Sequence, residues 1–306
     1  GNMDVTLSDS EMLALVREVR TGSMVVGREV LQGTRLSRVE RVTLEDGATY
    51  IAKRGTHLLI DEADTLRALR GSPIPMADMY VADVEGENLT MLMEDLGPVK
   101  IQPTIEDAAE MAARMTQTTP PDHLPTDGRE YLERLPQQIK AGIEQLVSLG
   151  TWKNPDRIRR PVDDIVKAAS DLGSGTEIHP FGLCHREYHP TSLHIGTQKT
   201  ALIDWQRAYV GPLLPCLANW FPIADAPNLK ACRRLIKAYV SAGGAPEAQE
   251  KRGDLRPESW AFFWQRVGAA EWWINSQIKW QTNDTQDGSW QRAVERVIVD
   301  AQWLLP

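Results

Sequence analysis

The spacing of apolar residues changes character once along this chain, and that change limits the architectures open to it. From Val25 to Glu94 the sequence reads as short strands joined by turns. MVVGREVL is followed by LSRVERVTLEDGATYIAKRG, with Asp46-Gly47 as a hairpin turn, and then by MYVADVEGENLTMLMEDL, turning at Glu85-Gly86 and Asn88. One helical stretch interrupts the strands, Asp61 to Arg70, with Ala63, Leu66, Ala68 and Leu69 at helical spacing and a Gly-Ser-Pro stop behind it. Beyond Gly97-Pro98 the spacing is that of long helices, at 104–118, 128–148 and 159–172 and again at 228–242, 257–281 and 288–304, with a strand-like TALIDW between the two groups. The order predicts an α+β chain in two lobes: an antiparallel sheet in residues 1–97 and a mainly helical part in residues 98–306.

A chain of 306 residues is long enough for two lobes sharing a cleft. No apolar run approaches the ~18 residues that suggest a membrane span. Gly1 and Asn2 ahead of Met3 read as an addition, and the acidic, amphipathic DVTLSDSEMLALVREVR stands where a secretory signal would need a basic start and an apolar stretch. The expectation is a cytoplasmic protein. A formal net charge of −8 gives no basic footprint for nucleic acid. It suits a cationic ligand, and it equally serves to keep a protein in solution. Cys184, Cys216 and Cys232 show neither a disulfide framework nor zinc spacing and read as buried free thiols. All ten Trp residues fall at or after Trp152, and WAFFWQRVGAAEWWINSQIKW is apolar almost all round a helix, the mark of a buried one, although some rings could also wall an acceptor pocket.

Several features with chemical content follow one another. LQGTRLSRVERV is a strand-turn-strand segment containing Gly33, and TYIAK ends a strand on Lys53. DEADTLRAL opens a helix with Glu62, MLMEDLG closes the first lobe, and HREYHPTSLH precedes ALIDW with Asp204. In this ordered set the chain resembles the aminoglycoside phosphotransferase and choline kinase group of small-molecule kinases, related in fold to protein kinases, whose catalytic stretch is typically H-G-D-x-H-x-x-N followed by an I-D-W segment. The resemblance runs from Val25 to about Trp220.

The resemblance implies ATP and magnesium as cofactors and a small-molecule hydroxyl as phosphate acceptor, cationic if the negative balance gathers at the cleft. Lys53 would meet nucleotide phosphates, held by Glu62, and Asp204 would hold magnesium, with Ser192 as a second oxygen donor. A carboxylate at Asp204, in an otherwise apolar run, is costly unless it meets a cation or hydrogen bonds. Gly33 falls where the family covers the triphosphate, and Met93, Glu94 and Leu96 fall in the segment whose backbone meets the adenine edge. Glu187 occupies the place of the catalytic Asp, one methylene longer, and Ser192 that of the Asn. Pro212 and Cys216, in GPLLPCLA, stand at places usually acidic. His185 is expected to be structural. His189 and His194, near Glu187, are candidate base or metal groups or ordinary hydrogen-bonded loop histidines, and Glu271 is either an anchor for a cationic acceptor or a helix-surface carboxylate. Two functions fit: a phosphotransferase acting through Lys53, Asp204 and Glu187, and a kinase-like nucleotide or ligand-binding module that has lost turnover.

Overall fold

The structure, a computed structural model, describes residues 5–280 and 288–306. In chain order the elements are α1 (Asp9–Arg17), β1 (Val25–Gly33), β2 (Ser37–Leu44), β3 (Thr49–Thr56), α2 (Glu62–Leu69), β4 (Met79–Glu85) and β5 (Asn88–Glu94). They continue with α3 (Ile105–Thr116), α4 (Arg129–Ser148), α5 (Asp156–Gly173), β6 (Phe181–Cys184), β7 (Leu193–Ile195), β8 (Thr200–Leu202) and β9 (Tyr209–Pro212). The remaining helices are α6 (Leu213–Ala218), α7 (Leu229–Ser241), α8 (Pro257–Trp280) and α9 (Ser289–Trp303). The expected helix at 257–281 ends within one residue of α8, its last position lying outside the described residues, as do Gly1, Asn2 and Met3. Helix α6 and strands β6 and β9 are additional to the sequence reading, being too short to show a period.

These elements form two compact units. The first runs to Pro103 and takes in Pro121–His123 and Pro190–Ala208; the second holds Thr104–Pro120, Leu124–His189 and the described residues from Tyr209 onward. A single cut at residue 97 therefore does not describe the grouping. Residues 190–208 join the sheet unit because β7 and β8 pair with each other, the Leu202 N–H donates to the Pro75 carbonyl at 2.9 Å, and Lys100 donates to Ile195 at 2.8 Å.

The first unit is built on an antiparallel sheet of order β1-β2-β3-β5-β4. Asp46-Gly47 makes the β2–β3 turn as expected: Gly47 has φ +86, which glycine adopts without a Cβ clash, and the Asp46 carboxylate accepts from the Ala48 N–H at 2.9 Å. Alternation gives the sheet two faces. Val42, Leu44, Ala52 and Leu92 cluster with Leu7 and with Met12, Leu15 and Val16 of α1, whose start is fixed by a capping box between Ser8 and Glu11. The opposite face carries Val39, Arg41, Ile51, Lys53 and Met93, neighbours across the β2–β3–β5 register.

The second unit is helical, and its core is the tryptophan-rich α8. Trp260, Phe262, Phe263 and Trp264 are fully buried, and the Trp260 indole N–H donates to the Leu172 carbonyl at 2.8 Å. For Trp260 and Trp264 the core reading therefore holds. Helix α4 approaches α8 closely at Gly142, where a Cβ would stand 2.4 Å from Ile274 Cγ2. Cys184, Cys216 and Cys232 are buried and free, as expected. Among the described residues, no helix is long and apolar enough to cross a membrane.

Candidate active site

Within the first unit, a cavity of about 170 Å³ opens on the face of the sheet opposite α1. Leu31, Val39, Ile51, Met93, Leu96 and Leu202 give it apolar walls, and Lys53, Glu62 and Asp204 gather as its charged end. Lys53 reaches this face through strand alternation: it lies opposite Val39 and Met91 in the ladders, so it shares a face with Ile51 and Met93 two residues away. Glu62 arrives as the first residue of α2, where the helix dipole favours a carboxylate. Asp204 follows β8 in a left-handed conformation, φ +65, which Asp tolerates better than bulkier residues.

The Lys53 ammonium lies 2.7 Å from Glu62 Oε1, 2.8 Å from Gln206 Oε1 and 3.6 Å from Asp204 Oδ1. The second Glu62 oxygen accepts from the Trp205 N–H at 3.1 Å. Burial alone would drive the Lys53 pKa down; the facing carboxylates of Glu62 and Asp204 more than offset it and hold the ammonium above its ordinary value. Burial raises the Glu62 carboxyl, against the pull of Lys53. With an ammonium at 2.7 Å and a backbone N–H on its other oxygen, Glu62 faces two donors and acts as a carboxylate acceptor.

At the other end of the cavity the linking segment is pinned by its own acids. The Asp95 carboxylate accepts from Arg41 Nε at 2.8 Å and from the Gly97 N–H at 3.0 Å. Burial tends to raise its pKa, and the Gly97 N–H and Arg41 reverse the shift to a lowered value. The Glu94 side chain is taken by Lys199 at 2.8 Å and the Asp78 N–H at 2.9 Å. Of the residues expected to serve a nucleotide, Lys53, Glu62, Met93, Glu94, Leu96 and Asp204 line this one cavity, and so does His194. Gly33 and Ser192 are not among the lining residues. Gly33 ends β1, exposed and paired with Arg38, and the turn beyond it is organised by Thr34, whose hydroxyl accepts from the N–H groups of Leu36 at 3.1 Å and Ser37 at 3.0 Å. Ser192 is buried, its carbonyl accepting from Ile203 at 2.8 Å.

The stretch from His185 to His189 belongs to the second unit. His185 is fully buried, in line with a structural role. Arg186 holds φ +75, a conformation that costs a non-glycine residue about 1–2 kcal/mol. Its guanidinium is secured by Asp127 at 3.0 Å and by the Tyr209 ring, 3.9 Å from the guanidinium carbon to the centroid. The sequence signal was present: the resembled motif has Gly at this place. Cys216 also proves to have a job in this loop. Burial would raise the Cys216 thiol, and Cys184 with the backbone N–H groups of Arg186 and His185 reverses the shift and lowers it. A sulfur acceptor thus stands where an acidic side chain was expected.

His189 Nε2 lies 3.3 Å from Glu187 Oε2, and its Nδ1 lies 3.0 Å from the Asn219 carbonyl oxygen. Both ring nitrogens face acceptors, so both bonds form only in the imidazolium. The Glu187 contact accordingly raises the His189 pKa, with burial opposing it and the Asn219 carbonyl adding to it. Glu271 is half-buried on α8. Among the described residues no group of three or more His, Cys, Asp or Glu is placed to hold a metal ion.

The family model described as "phosphotransferase enzyme family" matches residues 27–229, more than half of the chain, and the chain belongs to that family. In fold it is similar to a choline/ethanolamine kinase family protein from Mesorhizobium loti, with 13% identity over 96% of this chain and 94% of that one and a TM-score of 0.67. It is likewise similar to the choline kinase LicA from Streptococcus pneumoniae, with 16% identity, 95% and 98% coverage and a TM-score of 0.64. A third similar structure is a thermostable mutant of an aminoglycoside phosphotransferase in complex with ADP and hygromycin B, with 12% identity, 94% and 97% coverage and a TM-score of 0.56. No curated protein matches the sequence. The fold is the kinase-like α+β arrangement expected, an antiparallel five-stranded sheet with helices.

Proposed function

We propose that this chain is a small-molecule kinase that transfers the γ-phosphate of ATP to a hydroxyl of a small molecule such as an aminoglycoside, an amino sugar or a related metabolite. The reading is carried by one observation: a buried ammonium braced by two carboxylates stands at one end of a cavity with apolar walls, the complement of a nucleotide's phosphates and base. The fold's likeness to a choline kinase and to an aminoglycoside phosphotransferase in complex with ADP supports it. Residues 1–97, with His194, Leu202 and Asp204, hold the nucleotide in this reading, and the rest of residues 98–306 serves the acceptor, the whole working in the cytoplasm.

Lys53 binds phosphate oxygens and Glu62 keeps it in place. Asp204, partly exposed and lining the cavity, is the group suited to magnesium, which when bound neutralises charge on the phosphates. Glu187 orients the acceptor hydroxyl and takes its proton late, as a loose transition state requires. The buried Ser192 and the pairing of Glu187 with His189 favour the second reading, a binding module without turnover.

Thermal unfolding with and without magnesium ATP tests the nucleotide half, since binding to the folded state alone raises Tm. Lys53→Ala and Asp204→Asn should shrink the shift, and no shift at millimolar nucleotide would end the reading. Phosphate transfer to a panel of aminoglycosides, amino sugars and neutral alcohols at two salt concentrations tests the other half. A cationic acceptor should lose affinity as salt rises. Nucleotide binding without transfer to any acceptor would select the binding module.

A further inference from the structure

The Lys53 ammonium has three N–H donors and two acceptors within hydrogen-bond distance, Glu62 Oε1 at 2.7 Å and Gln206 Oε1 at 2.8 Å, with Asp204 Oδ1 an ionic neighbour at 3.6 Å. One phosphate oxygen can take the N–H left over, and a nucleoside polyphosphate that brings a second oxygen to this ammonium has to replace a bonded partner. The three differ in how firmly they are held. Glu62 is buried at the start of α2 with its other oxygen on the Trp205 N–H. Asp204 is charged and already the longest of the contacts. Gln206 is neutral, half-buried, and sits in the turn after Trp205 rather than in a helix or strand.

We infer that Gln206 is a positioning residue that holds the Lys53 ammonium in place of a phosphate oxygen and releases it when a nucleoside polyphosphate binds. This rests on the nucleotide-binding reading of the cavity. A neutral amide suits the task on electrostatic grounds. With Glu62 and Asp204 ionised, the cluster carries two negative charges against one positive. A carboxylate at residue 206 would make it three against one, grip the ammonium more tightly and repel the incoming phosphates. The amide gives Lys53 a partner, and its departure leaves no charge unpaired.

The test compares affinities for magnesium ATP and for adenosine, by calorimetry, in the wild type, Lys53→Ala, Gln206→Met and Gln206→Glu. Met keeps the length of Gln and removes the acceptor, so Gln206→Met should bind magnesium ATP about three- to tenfold more tightly, the scale of one hydrogen bond that no longer has to be exchanged. Gln206→Glu should bind it at least about tenfold more weakly, as a close like charge demands. Adenosine, which lacks phosphates, should bind all four proteins alike. Equal ATP affinity in the wild type and both Gln206 variants would overturn the inference, and so would shifts of the same size for adenosine, which would mark a structural role. If Gln206→Glu fails to fold, the tightening in Gln206→Met decides alone. The nucleotide reading stands or falls separately on the wild type and Lys53→Ala.

Discussion

Replacing Lys53 by Met removes the single cation from between two carboxylates, and the structure says what this should cost. Lys53 is 5% exposed and Glu62 3%, so the pair is shielded from water, and deleting one member of such a pair typically costs about 3–5 kcal/mol because the other is left charged and uncompensated. At about 2–4 °C per kcal/mol for domains of this order of size, Tm should fall by about 6–20 °C near neutral pH. The loss should depend on pH in a defined sense. Burial and Asp204 already raise the Glu62 carboxyl above its ordinary value, and without the ammonium little opposes them. A group whose pKa is raised on folding stabilises the fold below its unfolded value and loses that contribution as pH rises through its folded one. Lys53→Met should therefore recover stability, relative to the wild type, between pH 8 and pH 5, while Lys53→Met with Glu62→Gln should be more stable than Lys53→Met at pH 8 and should follow the wild type's own pH dependence over that range. In the wild type the same rule applied to Lys53 places the loss above its ordinary 10.5, in strongly alkaline solution. Thermal unfolding followed by circular dichroism at several pH values measures all of this. A Tm within about 2 °C of the wild type at every pH, under the scale of a 1 kcal/mol change, would refute the picture of a tightly coupled buried pair.

Other outcomes follow from the second unit. Glu187→Gln should lower turnover by about 10²–10⁴ with little change in nucleotide affinity, as for a positioned acid or base, and transfer that survives unchanged in a kinetic assay would remove Glu187 from the chemistry. The His189 pKa lies above its ordinary 6.5, so its contribution to stability is full below that value and fades as pH rises through the folded pKa, releasing Glu187 from the ion pair. Turnover should accordingly rise with pH through a midpoint above 6.5, and His189→Asn should abolish the step; a step persisting in that variant would assign it elsewhere. Gly142→Ala should cost about 1–3 kcal/mol by crowding Ile274 Cγ2 of α8, and combined with Ile274→Ala, which removes that atom, it should cost less than the sum of the two single changes in denaturant titrations.

Much of the fold was legible because it rests on local chemistry. The hairpin turn at Asp46-Gly47, the single helix opened by Glu62 and the long helices after Gly97-Pro98 are written in turn residues and apolar periods, which act over a few neighbours. The pairing of Lys53 with Glu62 was legible for another reason: an ordered set of motifs carried it, and the family match now covers residues 27–229. The grouping of residues 190–208 with the sheet was not legible, since it depends on hydrogen bonds from Leu202 to Pro75 and from Lys100 to Ile195, contacts between segments about a hundred residues apart in sequence. Gln206 was overlooked although it follows Trp205 directly, because an amide carries no charge to betray its partner 153 residues away. Cys216 stood out in the sequence only as a departure from a place usually acidic, and Arg186 drew no remark. Only the folded chain supplies Asp127 and Tyr209 to hold the arginine in a left-handed turn, and sets the cysteine sulfur against the backbone N–H groups of His185 and Arg186. Sequence alone thus determined which residues are chemically able to act. Tertiary structure decided which of them meet, because a side chain's partner is set by distance in space and the chain reports only distance along itself.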